Sequence, residues 1–179
     1  MDAEPDYLWG RRHSILYRIE LSVLYHRKRE RFFDFVDKAD KSISVIGGSA
    51  AFASLGGPEA IKVFAALVAV SATLSLVFGF GEKARRHADH AARFRELESD
   101  VISKGERDYT EADLNTWEAK TRSLEITEPA ALSTLVVLCQ NELAISQGQP
   151  QKVVNLPWYK RAFAQVWDFQ VDPEPKPRQ

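Results

Sequence analysis

One cysteine among 179 residues, Cys139, excludes an intrachain disulfide and a cysteine-cluster zinc site. It stands in Leu135-Val136-Val137-Leu138-Cys139, the setting of a small buried hydrophobe rather than a nucleophile. A formal net charge of −1 leaves no global excess of positive charge to draw the chain to nucleic acid. There is no phosphate-cradling glycine loop, nucleophile elbow or HExxH sequence; Gly47-Gly48 and Gly56-Gly57 lie in apolar sequence and lack the flanking Lys that a phosphate loop needs. On these grounds no enzymatic activity, no cofactor and no metal are expected. No stretch alternates apolar and polar residues as a half-buried strand does, so the fold class is all-α. The acidic opening, Met1 to Asp6, is not an apolar leader, and no secretory signal is expected from it.

Charge is missing from two long stretches. None occurs from Ser42 to Pro58, and none from Val63 to Gly81. Val63 to Phe80 alone is 18 residues, about 27 Å of helix against a hydrocarbon core of about 30 Å. Ala60 and Ile61 can extend it, because Lys62 can snorkel to the headgroups. The first stretch is shorter and poorer in large apolar residues. Paired with the second across a turn at Gly56, Gly57 and Pro58, it reads as one arm of a two-helix transmembrane hairpin. Small residues give each arm a packing face: Ser44, Gly47, Gly48, Ala51 and Ser54 on the first, Ala65, Ala69, Ala72 and Gly79 on the second. A buried hairpin in a soluble helical core is the other reading, since small residues are common there too. Hydroxyls at Ser42, Ser44, Ser49, Ser54, Ser71, Thr73 and Ser75 are open to two uses, an aqueous path or bonds to backbone and neighbouring helices.

Positive charge brackets the apolar pair. Arg27, Lys28, Arg29, Arg31, Lys38 and Lys41 precede it, and Lys83, Arg85 and Arg86 follow, while the turn carries Glu59 and Lys62. These juxtamembrane cations place both termini on the cytoplasmic side and suit anionic lipid, each worth about 1 kcal/mol near such a surface. Glu30 interrupts the run, which argues against nucleic acid. None of the four tryptophans falls at a membrane boundary, so an aromatic belt is lacking. His87 and His90 sit three apart on a helix and resemble half a metal site, with His26 a conceivable third ligand; a packed helix face is the plainer use of the pair.

The flanks read as helices. Tyr7 to Asp40 has no proline and only Gly10, and Ile15, Ile19, Val23 and Leu24 share a face. Glu82 to Ser103 carries Phe94, Leu97 and Val101 for packing on that first helix. Thr110 caps a helix reaching about Ile126; Pro129 fits the first turn of the next, about Ala130 to Ser146. Gln149 to Leu156 is a loop, Trp158 to Phe169 an amphipathic helix, and the proline-rich tail extended or disordered. The organisation is an N-terminal cytoplasmic helix (1–41), the hairpin (42–81), a cytoplasmic helical region with a small C-terminal module (82–171) and the tail (172–179).

In layout the chain resembles the SLATT domain family, two-transmembrane-helix effectors associated with SMODS and SLOG domains. The resemblance rests on Tyr25-His26-Arg27-Lys28-Arg29, the hairpin, Glu82 to His87, Trp117 and Leu138-Cys139-Gln140-Asn141-Glu142-Leu143, and covers about Leu8 to Phe169. It implies a bacterial inner-membrane effector that forms a homo-oligomer and permeabilises the membrane in anti-phage defence. Its trigger would be a sensor or nucleotide signal acting in trans. A non-conducting membrane scaffold for a soluble partner, and a soluble helical oligomer with a buried hairpin, are the alternatives.

Overall fold

The computed structural model describes residues 3–47, 49 and 57–171. Among them are α-helices and one short 3-10 turn, and no strand: α1 (Ala3–Gly47), α2 (Gly57–Phe78), α3 (Phe80–Ser103), α4 (Glu111–Ile126), α5 (Ser133–Ser146), the 3-10 turn Pro150–Lys152, and α6 (Trp158–Phe163). The proline-rich tail and the predicted packing or turn residues Gly48, Ala51, Ser54 and Gly56 lie outside the described residues.

α1 runs unbroken through Gly10, whose α-carbon faces open space. An exposed glycine there costs about 1 kcal/mol of helix propensity, too little to interrupt 45 residues otherwise free of internal breakers. Gly57 and Pro58 belong to the first turn of α2 rather than to a separate loop. Gly57 adopts φ +68°, and proline is preorganised for the position that follows. Glu59 adds an acid in the first turn, where the helix dipole favours one, and accepts from Lys62 Nζ at 2.8 Å. Gly79, at φ +55°, separates α2 from α3. Its N–H still donates to Ser75 O (2.9 Å) and its carbonyl accepts from Lys83 N (3.0 Å), so helix resumes at once.

The chain divides into two compact units. One is residues 1–27 with 89–179, and the other is Lys28–Ala88; α1 and α3 contribute to both. In the second unit, α1 pairs with α2 and the start of α3. Gly47 meets Val68, Asp40 accepts from Ser71, Asp37 lies against Gly81, and Phe33 stacks on His87 at 5.6 Å. Partner numbers rise on one side as they fall on the other, an antiparallel register.

In the first unit, Ile15, Ile19 and Val23 of α1 pack with Phe94, Leu97 and Val101 of α3 and with Leu114 and Trp117 of α4. Both three-and-four stripes thus become core. Tyr25, Leu135, Cys139 and Ala164 form a smaller cluster, with Leu24 beside it. Arg11 and Arg18 of α1 reach α4. Arg11 bonds Asn115 and Glu118 (2.9 and 3.1 Å), and Arg18 Nη2 bonds both oxygens of Glu125 at 2.6 Å. Arg122 first, then Arg11, holds the Glu118 carboxyl below the usual carboxylate range.

α4 begins with a reciprocal cap. The Asp113 N–H donates to Thr110 Oγ1 (3.3 Å), and the Thr110 N–H donates to Asp113 Oδ2 (2.9 Å). α5 departs from expectation. It begins at Ser133, so Pro129 precedes the helix instead of opening it. Tertiary partners take the leading amides: Leu132 N donates to the Tyr25 hydroxyl (3.1 Å) and Ser133 N to Asp168 Oδ1 (2.7 Å). The same bonds shorten the last helix. α6 stops at Phe163, because Asp168 and the Phe169 carbonyl, which accepts from Thr134 Oγ1, are drawn onto the start of α5.

Two outcomes test this account. Phe94→Ala, at a fully buried core position, should cost roughly 3–5 kcal/mol in a denaturant titration of the full chain followed by circular dichroism. Asp113 is held below its ordinary value by the Thr110 amide, the Thr110 hydroxyl and Lys104. Its contribution is therefore present above the unfolded pKa of about 3.9 and fades as pH falls through the lower folded value. Asp113→Asn should flatten the stability loss below about pH 4, seen as a shallower acid limb of melting temperature against pH.

Candidate membrane-facing surface

α2 presents apolar side chains around most of its circumference. Val63, Leu67, Val70, Leu74 and Val77 recur at four-and-three spacing and are all exposed. Leu76 is 87% and Val77 71% exposed, among the highest values of any large apolar residue here. Among its described side chains, only Phe64, Val68, Ser71 and Ser75 turn inward, half-buried or buried. One helical stretch, Gly57–Ser103, is long and apolar enough to cross a membrane, and 6% of its most apolar part is buried. A core helix of a soluble protein passes the same length test but hides most of its surface.

The small residues separate into two groups. On α1, Ser44 and Gly47 are half-buried, and a Cβ on Gly47 would lie 2.5 Å from Val68 Cγ2, so glycine sets how closely α1 and α2 approach. On α2, Ala65, Ala69 and Ala72 are exposed and do not form the seam with α1. That seam lies one residue around the helix, on Phe64, Val68 and Ser71, where larger side chains fill the space against α1. Gly79 serves instead as the break between α2 and α3.

Three of the six described hydroxyls are turned to the backbone. Ser42 donates to Lys38 O (2.8 Å), Ser49 to Ile46 O (3.0 Å) and Thr73 to Ala69 O (2.8 Å). Ser71 instead donates to the Asp40 carboxylate. This pair escaped sequence reasoning, because nothing in spacing alone brings Asp40 beside the middle of an uncharged run.

The predicted cations have different surroundings. Lys38 and Lys41 pair with Asp34 and Asp37, one turn back on α1 (2.7 and 2.6 Å). Arg29 Cζ stands 4.4 Å from the Phe33 ring centroid, and Lys83 Nζ stands 5.7 Å from it. Arg27, Arg31, Lys83, Arg85 and Arg86 are exposed, and Lys28 is half-buried. The histidines are packed against aromatic neighbours. His26 and His90 stack at 5.0 Å with His26 Nε2 3.1 Å from Glu128 Oε1, whereas His87 lies on Phe33. Among the described residues no group of three His, Cys, Asp or Glu side chains could hold a metal ion.

A second exposed apolar patch lies in the C-terminal module, where Trp158, Phe163, Val166 and Trp167 are all more than half exposed. Compared with the models of known protein families, with curated proteins and with solved structures, the chain matches none.

Adding one methyl group should have opposite effects at two glycines of the same helix. Gly47→Ala should destabilise by about 1–3 kcal/mol through overpacking against Val68, while Gly10→Ala should stabilise by up to about 1 kcal/mol. Thermal unfolding of the full chain in parallel checks both signs.

Proposed function

We propose that this chain is a bacterial inner-membrane effector. In this reading α2 crosses the bilayer as one arm of a hairpin with the 42–56 segment, both termini are cytoplasmic, and copies assemble to permeabilise the membrane. The observation that carries it is the exposed apolar girth of α2. A large apolar side chain left in water forgoes about 1.5–3 kcal/mol of burial, and α2 exposes eight of them, Ile61, Val63, Leu67, Val70, Leu74, Leu76, Val77 and Phe78. Hydrocarbon removes that cost. Basic residues on both flanks support the orientation.

Assembly is supported by the exposed alanines at positions 65, 69 and 72, a small face free for a helix of another copy. The defence role and a trigger acting in trans rest on the layout resembling SLATT effectors. A partner-docking scaffold is the second reading, and the exposed Trp158 and Trp167 patch favours it.

Carbonate washing of membranes from an expressing bacterium tests insertion: release without detergent would remove both membrane readings. A potential-sensitive dye then separates effector from scaffold. Depolarisation on induction is expected, and intact potential in cells that hold the inserted, triggered protein would leave the scaffold. Ala65→Leu/Ala69→Leu should cut cross-linked oligomers in lipid nanodiscs by at least severalfold while insertion persists.

A further inference from the structure

The Gly79 break opens a cavity of about 260 Å³, formed by Leu76, Val77 and Phe78 of α2 and by Glu82, Lys83 and Arg86 of α3. Its two halves differ in chemistry. The α2 half is exposed and apolar. The α3 half offers two cations against one carboxylate, at the point where the uncharged run ends.

The cations are not spoken for by protein acids. Among the described residues no carboxylate pairs with Lys83 or Arg86; Asp34 and Asp37, the acids of the adjoining part of α1, are engaged by Lys38 and Lys41. Lys83 Nζ rests instead near two aromatic rings, 5.5 Å from the Phe78 centroid and 5.7 Å from that of Phe33. Arg29 lies over the same Phe33 ring at 4.4 Å. A ligand that satisfies both halves is an anion with a hydrocarbon tail.

We infer that this cavity binds an anionic phospholipid, with Lys83 and Arg86 holding the phosphate and Leu76, Val77 and Phe78 lying against the acyl chains. The assignment rests on the membrane reading of α2. It goes further by naming a discrete headgroup site where the flanking charges alone imply only diffuse attraction. The phosphodiester of phosphatidylglycerol carries one negative charge, which two cations beside Glu82 can balance. Free phosphate would leave the apolar half empty.

The test uses the full chain in nanodiscs of phosphatidylcholine with a minor fraction of phosphatidylglycerol, with retained lipid counted by native mass spectrometry. Enrichment of phosphatidylglycerol is expected. Lys83→Gln/Arg86→Gln should weaken its retention roughly thirty-fold, about fivefold per cation, and Lys83→Arg/Arg86→Lys should restore most of it. Arg93→Gln removes an equal charge farther along α3 and should change nothing. Equal retention by wild type and the double Gln variant, or equal loss in Arg93→Gln, overturns the site. Displacement of the lipid by millimolar inorganic phosphate overturns the lipid assignment in favour of a soluble anion. Protein recovered outside the nanodiscs sinks the membrane reading and the site together, whereas inserted protein indifferent to phosphatidylglycerol sinks the site alone.

Discussion

Water is a poor solvent for the large apolar side chains that α2 exposes on most of its sides, and this constraint organises the chain. α1 covers only the inward face, through Phe64, Val68 and Ser71. The other large apolar side chains described on α2 are left exposed. The rest of the sequence fits such a helix. Cations stand on either flank, and glycines sit at its start and at its join to α3. The charged helices on either side build their own core without borrowing from α2.

That separate core is held by two kinds of force. Ile15, Ile19, Val23, Phe94, Leu97 and Val101 supply non-directional burial. Arg11 and Arg18 supply direction, fixing which part of α4 faces α1 through forked bonds to Glu118 and Glu125. Partly exposed, these ion pairs add little stability, and their value lies in register. The small C-terminal module follows a different rule. Its helix ends are set by distant partners, Tyr25 for one and Asp168 for another.

This difference explains what could be read from residues alone. The core stripes and the start of α4 were legible because their signals are local: three-and-four spacing in one case, Thr110 with Asp113 in the other. The start of α5 and the stop of α6 were not, because local preferences lost to hydrogen-bond partners more than thirty residues away. On α2 the small-residue stripe was visible, but its use was not. Alanines suit any close helix neighbour, and only the register with Gly47 and Val68 decides which face α1 takes. The cavity at Gly79 was also hidden, since it needs a left-handed glycine to set the end of α2 and the start of α3 around it.

The bond between Ser71 and Asp40 carries a further consequence. Ser71 is the ninth of the eighteen uncharged residues from Val63 to Phe80, so an acidic side chain from α1 accompanies the middle of the run. A carboxylate at the bilayer centre costs about 2.5–3.5 kcal/mol on insertion scales. Were α2 to cross a bilayer as proposed, a solitary copy would therefore be poorly matched to its own hairpin. On that proposal, depth of immersion and number of copies would become a single variable: the deeper the hairpin settled, the more it would gain from neighbours that wall Asp40 off from the acyl chains.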